Sequence, residues 1–273
     1  QLFQETYHRD TYSKVHVSGK KRDFDWRLNA ISRAMEADID DVGIGVLFGL
    51  YDWRFETLAL MQHVAQLEQQ FGVGCHTISV PRIEPAVGAE VSEHPPKPVS
   101  DVDFRKLIAI LRLTVPYTGI IMSTRENPDM RRETLALGVS QISAGSRTNP
   151  GGYGEEDYEM SQFSLGDHRS VDEVVRDITQ MGYIPSFCTG CYRMGRTGQD
   201  FMDLAKPGLI KHYCEVNAMS TFVEFLEHYA SPETKQVGDA LVDKILSEMA
   251  PGQKSRAESL VKEVRVGKRD VYV

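Results

Sequence analysis

The 273 residues, 41% of them hydrophobic, can bury a large core, and the length exceeds one ordinary domain while falling short of two. The 31 Lys and Arg against 39 Asp and Glu leave a formal net charge of −8 with no like-charge block, which excludes a generic nucleic-acid-binding surface. No apolar run approaches the roughly 18 residues that cross a bilayer, and QLFQETYHRD at the start has no basic-then-hydrophobic signal, so the sequence reads as soluble, unexported and cytoplasmic.

In chain order, strand-length apolar runs alternate with helical patterns, the signature of βα units and a mainly parallel sheet. Strands are predicted over 2–6, 42–50, 76–82, 118–124 and 139–144, and helices over 25–36, 56–70, 101–113 and 128–137. Ser100 with Asp103 forms a capping-box-like pair before the third helix. Strand spacings of about 20 to 40 residues match the pitch of a (β/α)₈ barrel, which needs about 250 residues for eight units, so five units are its later part. A doubly wound open sheet is the alternative, although no Gly-x-Gly-x-x-Gly follows the first strand. The expected organisation is a partial barrel over 1–150 and a mostly helical domain over 151–273.

A Gly- and Ser-rich turn, SAGSRTNPGGYGEED, precedes a helix capped by Ser170 with Glu173 three residues on. The last predicted helices run over 217–229, 232–249 and 253–264, with Ser231-Pro232 as cap and first-turn pair. This tail is expected to be a small helical appendage covering one barrel end.

Between these parts stand Cys188 and Cys191 in C-T-G-C, followed by Cys214 as C-x₂-C-x₂₂-C. C-x₂-C thiolates converge readily on one metal centre, with Gly190 permitting the tight turn and Cys214 completing a tripod. Zinc wants a fourth ligand, for which His212 and His228 stand nearby in sequence, whereas an iron–sulfur cluster with an open iron needs none. Unligated core cysteines and a redox C-x-x-C are the remaining readings. Cys75 stands alone and reads as a buried bystander. His76 falls where a strand begins, at the N-terminal rim of the expected barrel, where a structural role competes with a ligand role.

Six further segments carry a resemblance: QETYH at 4–8, GKKRDFDWRL at 19–28, FGLYDWR at 48–54, SVPR at 79–82, MSTRENP at 122–128 and SAGSRTNPGGY at 143–153. With the cysteine array they resemble the aromatic-amino-acid lyase branch of the radical S-adenosylmethionine (SAM) enzymes, and within it the HydG-type tyrosine lyases of [FeFe]-hydrogenase maturation, over essentially the whole chain. The tyrosine lyase of thiamine biosynthesis, 2-iminoacetate synthase, shares the barrel motifs but not the terminal cysteine arrangement.

The resemblance implies reductive cleavage of SAM at a [4Fe-4S] cluster and radical cleavage of the Cα–Cβ bond of L-tyrosine to p-cresol and dehydroglycine. Carbon monoxide and cyanide then form and are collected as an Fe(CO)₂(CN) synthon on an auxiliary [4Fe-4S] cluster with an additional iron, for use by the other hydrogenase maturation proteins. It implies Cys188, Cys191 and Cys214 as ligands of the auxiliary cluster and His76 as ligand of the extra iron. Gly45, Leu47, Gly49 and Asp52 resemble the G-x-I-x-G-x-x-E pattern that packs the SAM adenine, with Asp in place of Glu. Arg27 is the candidate for the SAM carboxylate, against a solvent-facing helix arginine. Arg125, at a strand end, is suited to fork the tyrosine carboxylate in two parallel hydrogen bonds. Ser143 serves the same head group, and Arg82 and Arg147 compete with Arg125. Tyr7 and His8, after the first strand, are placed near the phenol as catalytic candidates, against hydrogen bonding within the barrel mouth.

The radical SAM hallmark C-x₃-C-x₂-C is not in these residues. In the family it lies after the first barrel strand, so the expectation is a C-terminal portion, strands four to eight plus the auxiliary-cluster domain, with the second [4Fe-4S] cluster on a segment before Gln1. A non-catalytic zinc or iron–sulfur scaffold is the contrasting reading.

Overall fold

Five short strands, β1 (Leu2–Glu5), β2 (Gly43–Val46), β3 (Thr77–Ser79), β4 (Gly119–Met122) and β5 (Gln141–Ile142), form one parallel sheet in the order β1-β2-β3-β4-β5. All five predicted strands are present, each shorter than predicted. Sequential neighbours throughout are the winding of a (β/α) barrel, whereas a doubly wound sheet reverses direction at a switch point. The open-sheet alternative is therefore set aside, and the partial barrel stands. The structure, a computed structural model, describes residues 1–149, 151–153 and 162–273, so Pro150 and residues 154–157 of the Gly- and Ser-rich turn lie outside the described residues.

The helices of the first unit, Gln1–His168, are α1 (Arg9–Val15), α2 (Phe24–Leu28), α3 (Ala30–Glu36), α4 (Trp53–Phe71), α5 (Glu90–Glu93), α6 (Asp101–Thr114) and α7 (Pro128–Leu137). Their starts are chemically marked: Asp52, Ser100 and Asn127 accept from backbone N–H groups at the starts of α4, α6 and α7. One predicted helix over 25–36 is two, because the chain breaks at Asn29 between α2 and α3. On α6, Phe104, Leu107, Ile108 and Leu111 are all fully buried, the spacing of one helix face turned to the core. Each such side chain contributes about 1.5–3 kcal/mol on burial.

The sheet has two unlike faces. Ile44, Val46, Ile78, Val80, Ile120 and Met122 belong to the core beneath the helices. The opposite face mixes Phe3 and Ile121 with small and polar residues: a Cβ on Gly43 would meet Thr77 and Gln1, one on Gly119 would meet Gln141, and the Gln1 amide donates to the Ser79 hydroxyl. Strand alternation makes this the barrel's inner face.

The second unit, Arg169–Val273, is helical: α8 (Val171–Gln180), α9 (Gly190–Arg193), α10 (Gly198–Ala205), α11 (Lys211–His228), α12 (Pro232–Glu248) and α13 (Pro251–Arg265). Ser170 and Glu173 form the expected capping box, and Ser231 caps α12 with Pro232 in its first turn. Val216, Met219, Phe222, Val223 and Leu226 of α11 pack with Leu241 and Val242 of α12 and Val261 and Val264 of α13. The helix predicted from 217 begins at Lys211 instead, which puts Cys214 on a helix. No helix among the described residues is long and apolar enough to cross a membrane.

Candidate substrate pocket and metal centre

Arg125 follows β4 at the end of the strand where barrel sites are built. Its guanidinium lies 3.6 Å above the Phe163 ring, half-buried, and makes no hydrogen bond or ion pair to the described residues. Burial pushes its pKa down, opposed by the nearby carboxylates of Glu84, Glu5 and Glu126. Phe163 also lines a cavity of about 510 Å³ with Arg147, Thr148, Asn149, Ser164, Leu165 and His168. The segment beside it is tied down on two sides, since Ser164 N donates to the Pro85 carbonyl (2.9 Å) and Gly166 and Asp167 N donate to the Thr124 carbonyl (2.9 and 3.0 Å).

Ser143 follows β5, its backbone N–H donating to Met122 O at 3.0 Å and its carbonyl accepting from Arg131. Arg131 is 2% exposed and also pairs with the buried Asp167, so one side chain on α7 holds both the Ser143 turn and the segment under Arg125. Nothing in the sequence marks Arg131 apart from its neighbour Arg132; only its burial does.

Arg82 is differently employed. It donates to both carboxylate oxygens of Glu126, to Asp101 (2.7 Å) and to the Val99 carbonyl (3.0 Å), and it lies over the Phe104 ring. Four of its five N–H donors are thus spent on the fold, which removes it as a competitor for a substrate carboxylate. The motif residue Glu126, 2% exposed, is its partner.

Tyr7 and His8 do not act as a pair. The Tyr7 hydroxyl bonds His63 Nδ1 on α4 at 2.7 Å, and burial pushes its pKa well above the ordinary value. His8 stacks flat on Tyr51 at 3.7 Å between centroids and caps α1, its Nδ1 2.9 Å from Thr11 Oγ1. Beneath them Glu56 accepts from the Thr6 hydroxyl and from Tyr7 N at 2.9 Å; burial raises its pKa to about 7 and lowers that of His63 to about 4.

Of the residues matched to the SAM motif, Gly45 leaves room that the Phe3 ring takes, and Gly49 adopts φ +121° where a Cβ would strike Ile83. The Leu47 N–H donates to the Glu5 carbonyl at 2.9 Å, and Asp52 is the N-cap of α4, accepting from Arg54 N at 2.8 Å. Arg27 is no solvent-facing helix residue: its Nε donates to the Phe3 carbonyl at 2.9 Å and its guanidinium lies 3.7 Å from Glu5. His76 sits just before β3, as expected, its Nδ1 3.5 Å from Asp41. Cys75 is fully buried, its thiol pushed up to about 12.

In the second unit, Cys188 precedes α9, Cys191 lies within it, and Cys214 is on the first turn of α11. Burial raises the Cys188 thiol, and it raises that of Cys214 to about 11, with the neighbouring cysteines adding to both. Gly190 N donates to Cys188 Sγ at 3.2 Å, and a Cβ on Gly190 would stand 3.2 Å from that sulfur. The Arg196 guanidinium favours the thiolates of both Cys188 and Cys214. Neither zinc-completing histidine fits: His212, two residues before Cys214 on α11, faces away and bonds Gln253, and His228 is 14 residues along the helix, about 21 Å from Cys214. Among the described residues no group of three or more His, Cys, Asp and Glu is set to hold a single metal ion. A zinc ion would need a fourth ligand, whereas a cubane takes one thiolate at each of three iron corners and leaves the fourth open. The donor set, all sulfur with a cation beside it, fits a cluster.

Comparison with known proteins adds the following. A family profile described as the Biotin and Thiamin Synthesis associated domain matches residues 79–184. The 2-iminoacetate synthase of Escherichia coli strain K12 is 36% identical over 202 residues, 72% of this chain and 52% of that protein, and the Salmonella typhimurium enzyme of the same name is 33% identical over the same shares. Among solved structures, the crystal structure of HydG, a maturase of the [FeFe]-hydrogenase, matches at TM-score 0.95 and 49% identity over 100% of this chain and 59% of that one. HydG from Carboxydothermus hydrogenoformans matches at 0.79 and 40% over 97% and 56%. The chain thus spans about half the length of the curated relatives and under two thirds of the solved ones.

Proposed function

We propose that this chain, similar along its whole length to the HydG-type maturases of [FeFe]-hydrogenase, is the part of a radical SAM tyrosine lyase that binds the amino-acid substrate and carries the auxiliary cluster. The observation that carries the reading is the combination of a HydG likeness over 100% of the chain with Cys188 just before α9, Cys191 within it and Cys214 on the first turn of α11.

In this reading Arg125, its donor fork unspent, binds the carboxylate of L-tyrosine, and Ser143 supplies a second contact to the same head group. Phe163 beneath the guanidinium fixes its plane, and the Arg131–Asp167 pair fixes the two turns that carry Phe163 and Ser143. Tyr7 and His8 are assigned to the phenol side through the Glu56 clamp on their loop, with Tyr7 tied to His63. Gly45, Leu47, Gly49, Asp52 and Arg27 are assigned to SAM, with Arg27 the candidate for its carboxylate. Cys188, Cys191 and Cys214 would hold the auxiliary [4Fe-4S] cluster, and His76 the additional iron. When bound, such a cluster supplies an iron corner free of protein ligands, where carbon monoxide and cyanide are collected for the partner maturation proteins. A second [4Fe-4S] cluster would supply the electron for reductive cleavage of SAM, and its C-x₃-C-x₂-C ligands are not among these residues.

The test is anaerobic reconstitution of the intact protein with iron and sulfide, EPR of the reduced sample, and p-cresol assay after SAM, reductant and tyrosine are added. The reading predicts cluster signals and p-cresol. Stoichiometric zinc without labile sulfide, or no p-cresol, contradicts it.

A further inference from the structure

Cys214, Asn217, Ser220 and Glu224 recur at three- and four-residue spacing and share one face of α11. Asn217 and Ser220 are each 1% exposed, an unusual depth for polar groups in a helix otherwise packed by Met219, Phe222 and Val223. The segment Asp270–Val273 satisfies that face. Val273 N donates to Asn217 Oδ1 (2.9 Å), the Ser220 hydroxyl donates to the Val271 carbonyl (3.1 Å), and Asp270 N donates to Glu224 Oε2 (3.2 Å).

Asp270, Tyr272 and Val273 of the same segment also contact the C-T-G-C loop and the residues just after it. The Tyr272 hydroxyl lies 3.3 Å from Thr189 Oγ1 and donates to Asp270 at 3.0 Å, and its ring edge is 3.2 Å from where a Cβ on Gly190 would stand. Arg193 pairs with Asp270 at 3.1 Å, and Arg196, over the Tyr213 ring, donates to the Val273 carbonyl at 2.8 Å. The Asn217 amide nitrogen donates to the Val273 carbonyl at 3.4 Å and lies 3.0 Å from where a Cβ on Gly190 would stand, so it packs on the Cys188–Cys191 loop. One buried amide therefore touches the loop of the first cysteine and the 270–273 segment, one turn from the third cysteine on its own helix.

We infer that Asp270–Val273 is a strap that holds the three-thiol set in its ligating arrangement, with Asn217 as the positioning residue that joins strap, Cys188 loop and Cys214 helix. The inference rests on the cluster reading above. A cluster with three protein ligands loses its anchorage when any one thiolate drifts, and groups behind metal ligands typically set affinity by about 10–100-fold. The strap supplies that backing for Cys188, and the alignment with α11 relates Cys188 to Cys214.

The test uses the intact, reconstituted protein and reads iron release to a chelator together with the EPR signal of the auxiliary cluster, the one that does not shift when SAM is added. Asn217→Ala and deletion of residues 270–273 are expected to release auxiliary-site iron about tenfold faster or more and to alter that signal, while the SAM-responsive signal is unchanged. Asn217→Asp, which keeps the acceptor for Val273 N and loses the amide donor that meets the Val273 carbonyl and faces Gly190, is expected to fall between. Should the deletion lower the melting temperature, Asn217→Asp and Tyr272→Phe, which preserve volume, carry the test. Parent-like release and an unaltered signal in all of these variants overturn the inference. A parent protein without auxiliary iron overturns instead the cluster reading on which it rests.

Discussion

Arg125 and Arg82 show how much a residue's role depends on what its donors already hold. Both follow barrel strands in similar motif contexts, yet Arg82 is bound to Glu126 and Asp101 whereas Arg125 rests on Phe163 with its fork unspent. Arg125→Lys keeps the charge and loses the planar fork, so KM for tyrosine is expected to rise about tenfold or more with an unchanged unfolding midpoint. The same substitution at Arg82 is expected to act on stability. For the fully buried Arg131–Asp167 pair, Asp167→Ala leaves a buried guanidinium uncompensated and is expected to cost about 3–5 kcal/mol in urea unfolding. The sequence motifs locate these arginines but cannot rank them, because the ranking is made by partners 17 to 44 residues away. The cysteines are the opposite case: their spacing is local enough to announce a metal centre before any fold is known.

α4 combines two buried groups with opposed pH behaviour. Glu56, with a folded pKa of about 7 against an ordinary 4.5, contributes stability that is present below about 4.5 and lost as pH rises through 7. His63, lowered to about 4 from 6.5, contributes stability that is present above about 6.5 and lost as pH falls through 4. Across the overlap the two slopes oppose. Glu56→Gln is therefore expected to leave unfolding midpoints that rise with pH between 4 and 6.5, and His63→Gln midpoints that fall between 4.5 and 7. Urea melts at four or five pH values check both; parallel profiles for the two variants would contradict the assignment. In the sheet, Gly45→Ala places a methyl 2.8 Å from the Phe3 ring and 2.9 Å from the Ser79 carbonyl, and is expected to destabilise by about 1–3 kcal/mol.

Elements were legible where caps and periodicity agreed, as for α6, α7, α8 and α12. The start of α11 is the exception: the sequence predicts this helix only from 217, whereas it begins at Lys211, because 211–216 carry neither a side-chain cap nor an apolar repeat to announce the first turn. The strands were found but overextended, since apolar residues past a barrel strand continue into the loop core, as Phe48 and Leu50 do after β2.

At the scale of the molecule, the account divides the chemistry between two compact units, substrate contacts in Gln1–His168 and the three-thiol set in Arg169–Val273. The sequential parallel sheet has the winding of a (β/α) barrel, and the second unit's α9 and α11 carry Cys191 and Cys214. In the proposed reading the tyrosine contacts belong to the first unit and the cluster thiols to the second, with His76 of the first unit assigned to the additional iron. The most direct test is to replace Cys188 and Cys191 by Ser in the intact protein and to measure p-cresol and carbon monoxide from the same reactions. The account predicts p-cresol within about twofold of the parent and carbon monoxide reduced by about tenfold or more; simultaneous loss of both products, or retention of both, would contradict it.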